Sequence, residues 1–117
     1  MGTKGRHLGE FEEIVLLSVL ALHGEAYGLA IKKDIATQTG RSVTISAVHA
    51  TCNRLETKGL LASSLGAPTA KRGGKRKKIY AVTMNGQRAL HASYVLRSRL
   101  WDRIAGRLQI DLAGGRS

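Results

Sequence analysis

Apolar positions fall into three helix-length blocks, then two short β-prone stretches, then one long helical block. In the first block Phe11, Ile14, Val15, Leu17, Val19, Leu20 and Leu22 cover nearly the whole circumference of a helix from about Gly9 to His23. That pattern predicts a central core helix, or one shared with a second subunit. Glu10, Glu12 and Glu13 load its first turn with negative charge that complements the positive end of the helix dipole, and Gly24 stops it. A second helix is expected from about Ala26 to Thr39, where Tyr27, Ile31 and Ile35 share a face and Lys32 and Lys33 stay wet. Gly40 closes it. After an extended Arg41-Ser42-Val43, Thr44 caps a third helix that continues to about Lys58 and ends at Gly59.

Beyond Gly59 the pattern turns to strands. Leu60–Leu65 and Lys77–Val82 flank a tip at 66–76 that contains Pro68, Gly73 and Gly74, which predicts a β-hairpin. Thr83 then caps a final helix from about Met84 to Leu108. Three helices followed by a two-stranded hairpin is the order of a winged helix-turn-helix, a mainly α fold with a small hairpin (α+β). Residues 1–83 are expected to form this domain, with 1–7 a loose leader. Residues 84–117 are expected to form a C-terminal dimerisation helix and a frayed tail.

Charge gives the fold a partner. The formal net charge is +11, and Lys71-Arg72-Gly73-Gly74-Lys75-Arg76-Lys77-Lys78 puts six positive charges into eight residues at the hairpin tip. A basic tip between strands is suited to phosphate contact. A second basic zone lies on Arg88, Arg97, Arg99, Arg103 and Arg107. With 43% apolar residues the chain has enough material for one core. Its longest apolar stretch, Ile14–Leu22, is far short of the roughly 20 residues that cross a bilayer. That stretch follows Glu10, Glu12 and Glu13 rather than a basic region, and no small-residue cleavage site follows it, so a signal peptide is not expected either. The lone Cys52 excludes an internal disulfide and fits a reducing compartment, so a cytoplasmic protein is expected.

On a helical wheel the third helix turns Val48, Thr51, Cys52 and Leu55 inward. Its outer side holds Ser46, Ala50, Asn53 and Thr57, flanked by His49 and Arg54. Asn pairs bidentately with adenine, Arg with guanine, and small residues let the backbone approach the groove floor. Ser46, His49, Ala50, Asn53 and Arg54 are therefore the base-facing candidates in duplex DNA, although any one of them could instead be a solvated helix residue. The absence of acidic side chains favours the DNA reading for the face as a whole. Thr44, Lys71, Arg72, Lys75, Arg76, Lys77 and Lys78 are the phosphate candidates. Two other uses of the fold stay open: nucleic-acid binding without sequence preference, and docking of the positive tip on an acidic protein.

Enzymatic chemistry finds no support. His7, His23, His49 and His91 are dispersed, no metal-ligand spacing emerges, and there is neither a phosphate-cradling glycine loop nor a nucleophile elbow. No metal or cofactor is expected. In the final helix Leu90, Tyr94, Arg97, Trp101, Ile104 and Leu108 follow heptad spacing interrupted once by Arg97. With Phe11 on the first helix they are the candidate homodimer interface, and Trp101 is a candidate wall for a flat apolar effector between subunits.

Several segments taken together resemble the PadR family of bacterial transcriptional regulators: Leu8-Gly9-Glu10-Phe11-Glu12, Ala26-Tyr27-Gly28, Arg54-Leu55-Glu56-Thr57-Lys58-Gly59-Leu60, Gly73-Gly74-Lys75-Arg76-Lys77-Lys78-Ile79-Tyr80, and Thr83 with Gly86. The likeness spans about residues 8–105. It implies a winged-helix dimer, usually a repressor, joined through the C-terminal helix and in some members binding an effector near the dimer interface. The chain resembles the short branch, with one C-terminal helix. It departs from the family pattern at His49, where tyrosine is common, at Ser46, where glycine is frequent, and at Ile79, where an aromatic often stands. Operator preference is therefore not transferred from relatives.

Overall fold

The computed structural model describes residues 7–66 and 76–110; Lys71, Arg72 and Lys75, all of the expected leader but His7, and residues 111–117 lie outside the described residues. Three helices, α1 (Glu10–Ala21), α2 (Gly28–Thr39) and α3 (Ile45–Thr57), enclose a core of Val15, Leu16, Val19, Ile31, Ile35, Val48, Cys52 and Leu55. Gly40 and Gly59 take left-handed backbone angles just past α2 and α3, where a side chain would be strained. Two strands, β1 (Leu61–Leu65) and β2 (Lys78–Val82), pair antiparallel with Leu61 opposite Val82, Ser63 opposite Tyr80 and Leu65 opposite Lys78. Leu61 and Tyr80 turn into the core. The α+β winged helix-turn-helix expected from the element order is present.

α2 starts two residues later than its apolar period suggests. The Tyr80 amide donates to the Ala26 carbonyl at 2.8 Å, and Tyr27 forms an isolated antiparallel bridge with Ile79. Ala26 and Tyr27 are thus held extended against β2, so the loop before α2 becomes a third edge of the wing.

Thr83 caps α4 (Met84–Asp102): its hydroxyl accepts the Gly86 amide at 3.0 Å and donates to the Gly59 carbonyl at 2.7 Å. This double use ties the start of α4 to the end of α3. Gly86 is buried against the Leu60 carbonyl, where a β-carbon would collide with backbone. The last helix departs from its expected course at both ends. Leu90, expected in a dimer seam, is only 7% exposed and belongs to the core of its own chain. The helix also ends at Asp102 instead of Leu108, and only a 3₁₀ turn at Ala105–Arg107 follows. A carboxylate at the negative end of the helix dipole and Gly106, which costs about 1 kcal/mol relative to alanine, oppose continuation. Ile104 and Leu108 consequently lie beyond α4, and the heptad seam stops at Trp101.

Replacing Leu90 with alanine is expected to lower stability by about 2–5 kcal/mol, the range for emptying a buried leucine site. Urea denaturation checks this, and a change near zero would contradict the placement of Leu90 in the core.

Candidate nucleic-acid interface

The two sides of α3 separate as its wheel requires. Val48, Thr51, Cys52 and Leu55 are buried, whereas Ser46, His49, Ala50, Asn53, Arg54 and Thr57 are exposed. Thr44 caps the helix by accepting the Ala47 amide at 3.0 Å, which fixes where its first turn begins. His49 packs against the start of α2. A β-carbon on the buried Gly28 would lie 2.5 Å from His49 Nε2, so a larger residue there would displace the imidazole.

The opposite edge of α3 is held by charge. Glu12 is 7% exposed, yet its carboxylate accepts the Gly9 amide at 2.9 Å and the Lys58 ammonium through both oxygens at 2.9 and 3.0 Å. Arg54 Nε stands 3.7 Å from the same carboxylate, and Arg54 Nη2 donates to Thr51 Oγ1 at 3.0 Å. Burial pushes the Glu12 carboxyl up, but the Gly9 amide, Lys58 and Arg54 together outweigh it and hold the group below its ordinary value. The neighbouring glutamates hold other elements. Glu10 pairs with Arg41 at 3.0 Å; Glu13 pairs with Arg97 at 3.1 Å and accepts from Ser93 at 3.3 Å. Sequence alone reads these three residues as dipole charges, because their partners lie on other elements of the fold.

At the wing, the described bases are anchored at its root. Arg76 Nε donates to the Gly66 carbonyl at 2.9 Å, and Lys77 Nζ sits 3.7 Å above the Tyr27 ring. Lys78 Nζ lies 3.5 Å from Glu56, which also accepts the Ser63 hydroxyl at 2.7 Å. Glu56 therefore joins α3 to both strands. Beneath it, burial first and Glu56 second push the Cys52 thiol up to about 11, so it stays a neutral core group. Burial, Cys52 and Glu56 push Tyr80 up to about 12.

The residues expected at a dimer interface are dispersed. Phe11 is half-buried beneath the Arg41 guanidinium, 5.7 Å from its ring centre, and Arg97 turns to Glu13. Tyr94 and Trp101 remain 67% and 57% exposed on α4, with Leu96 and Leu100 also uncovered. Trp101 lines neither of two clefts formed by the described residues. One of these lies between α1 and α2 around Leu17 and Asp34; the other lies between α1 and the hairpin around Leu20 and Ser63. Among the described residues no helix is long and apolar enough to cross a membrane, and no three metal-ligating side chains gather.

A trihelical core, a capped third helix with one free face, and a hairpin rooted beside it define a winged helix-turn-helix DNA-binding protein. The chain belongs to the PadR-like family of transcriptional regulators, whose model matches residues 16–92. Its members are DNA-binding regulators rather than enzymes. It is similar to a PadR family transcriptional regulator from Eggerthella lenta DSM 2243, with 28% identity, a TM-score of 0.64, and 87% of this chain and 88% of that one covered. A PadR-like transcriptional regulator from Bacillus cereus strain ATCC 14579 shares the fold at 18% identity and a TM-score of 0.69, covering 93% and 97%. A structure of hsRosR-S1, described as a complex, is 25% identical with a TM-score of 0.64, covering 88% and 94%. No curated protein matches the chain.

Because the folded-state carboxyl of Glu12 is depressed, its stabilisation is fully present above the ordinary glutamate range, about 4.3, and is lost as pH falls through its lower folded value. Glu12→Gln keeps the shape but leaves Lys58 without a counter-charge. It should cost about 1–3 kcal/mol at neutral pH, with the difference from wild type shrinking in acid. Denaturation curves across a pH series check this, and a pH-independent difference would contradict it.

Proposed function

We propose that this regulator is a repressor that binds as a homodimer, with α3 of each protomer in the major groove. The observation that carries the reading is the outer face of α3, where Ser46, Ala50 and Asn53 stand free of acidic neighbours beside the root of a basic wing. Asn53, near the centre of that face, has the donor and acceptor needed for adenine. Lys71, Arg72 and Lys75, with Arg76, Lys77 and Lys78, supply phosphate contacts, and Thr44 meets the backbone at the start of α3. Binding to a stretch of DNA that includes a promoter would exclude polymerase, and the cytoplasm is the compartment where such a protein meets it.

Support for the homodimer comes from α4. Tyr94, Leu96, Leu100 and Trp101 leave an apolar surface on a helix that projects from the core. A two-fold pairing through that surface would present two α3 helices, and dimers of this kind read half-sites about 34 Å apart, one turn of duplex. On this reading residues 1–83 read DNA and residues 84–117 join protomers, although the first turns of α4 also complete the core. An apolar effector beside Trp101 would need a wall from the second protomer.

The DNA upstream of the protein's own gene is expected to be retarded in a shift assay and protected in a footprint with two-fold symmetry. No protection beyond that given by random-sequence competitor at moderate salt would sink the reading. Trp101→Asp is expected to shift the protein from dimer to monomer in sedimentation equilibrium; a wild-type that is already monomeric at micromolar concentration would contradict the pairing.

A further inference from the structure

Arg54 does not stand where a base reader would. It follows Asn53 by one residue, about 100° around the helix, and so lies at the flank of the exposed face. Its side chain is drawn further from the centre: Nη2 donates inward to Thr51 Oγ1 at 3.0 Å, and Nε faces Glu12 at 3.7 Å. Thr51 and Glu12 are both buried, yet the Arg54 side chain itself is 57% exposed. A guanidinium has five N–H donors. Nη2 gives one hydrogen to Thr51 and Nε faces Glu12 at ion-pair distance, which leaves both Nη1 hydrogens and one on Nη2 for other acceptors, and the Nη1–Nη2 end can meet two oxygens of one phosphate.

The charge around it agrees. Lys58, one turn later on the same edge, is bound to the same carboxylate, so Arg54, Lys58 and Glu12 sum to one net positive charge at the rim of α3. A rim cation is placed to meet a strand of the duplex as it passes the groove edge, whereas the groove floor is reached from the centre of the face. We propose that Arg54 is a phosphate ligand at the groove edge, and that Thr51 and Glu12 are positioning residues which hold its guanidinium ready. The proposal rests on α3 lying in the major groove. It moves Arg54 out of the base-reading set and leaves sequence choice to Ser46, His49, Ala50 and Asn53.

The test is selection of full-length wild-type and variant proteins on a randomised duplex library, followed by titration of the best-enriched duplex across a salt series. Arg54→Ala should select the same sequence as wild type, bind every duplex about tenfold more weakly at low salt, and flatten the slope of log affinity against log salt by about 0.9. Loss of preference at one base pair, by about 5- to 100-fold, would instead mark a base reader and overturn the proposal. So would unchanged affinity and slope. Thr51→Val fills the same space without an acceptor, whereas Thr51→Ser keeps the hydroxyl and loses a core methyl. Orientation by Thr51 predicts a uniform loss of about 3- to 10-fold for Thr51→Val and wild-type affinity for Thr51→Ser; equal affinities, or the reverse order, would overturn the positioning role. Asn53→Ala separates this proposal from the reading beneath it. If Asn53→Ala relaxes a base pair while Arg54→Ala does nothing, only the Arg54 proposal falls. If wild type enriches no sequence, the major-groove reading falls with it.

Discussion

A carboxylate withdrawn from water must find donors inside the protein or lose several kcal/mol, and Glu12 finds them on both sides of the helix-turn-helix. Gly9 supplies an amide from the start of α1, while Lys58 and Arg54 supply cations from the end of α3. Apolar packing of Val48, Cys52 and Leu55 presses α3 onto the core, but such packing is non-directional and tolerates small rotations and slides. Hydrogen bonds from the Gly9 amide and the Lys58 ammonium to one carboxylate, with the Arg54 ion pair beside them, are directional. The angle of α3 on the core therefore depends on Glu12 as well as on its apolar contacts.

Acidic residues serve the scaffold in general. Four of the eight, Glu10, Glu12, Glu13 and Glu56, are engaged in ion pairs within the fold, each to a different element. With eight acids against nineteen lysines and arginines, most cations are left without an acidic partner and the outer surface is strongly positive. The surface is thus positive because cations outnumber acids, while Glu12 and Glu13 are drawn inward by their partners. Glu56 extends the same logic to the wing, since it links α3 to Ser63 and Lys78, and the Tyr27 bridge to Ile79 braces the other side. Wing root and reading helix should move together, because a shift of one breaks contacts made by the other.

Features with a local cause could be read from the chain. The division of α3 into a buried and an exposed side follows from a 3.6-residue period. The caps at Thr44 and Thr83 and the stops at Gly40 and Gly59 follow from single-residue stereochemistry. Features that depend on distant partners were hidden. Lys58 and Glu12 are 46 positions apart, and nothing in either neighbourhood signals their pairing. Tyr27 fits the helical period of Ile31 and Ile35, but the open edge of β2 holds it extended. In the last helix, heptad spacing gave Leu90 and Trp101 equal standing. The close approach allowed by Gly86 puts the first in the core, and the lack of packing beyond Trp101 lets the helix end.

Interference footprinting tests the display of α3 most directly, because it separates contact with base edges from contact with phosphates on the same duplex. Methylation of guanine N7 marks the major-groove floor, and ethylation marks individual phosphates. Inhibition by methylation within two major-groove segments about one turn apart, bordered by phosphates whose ethylation also blocks binding, is the expected result. Binding that tolerates major-groove methylation throughout the site would contradict the account, since the face that Glu12 holds outward would then have no part in choosing the sequence.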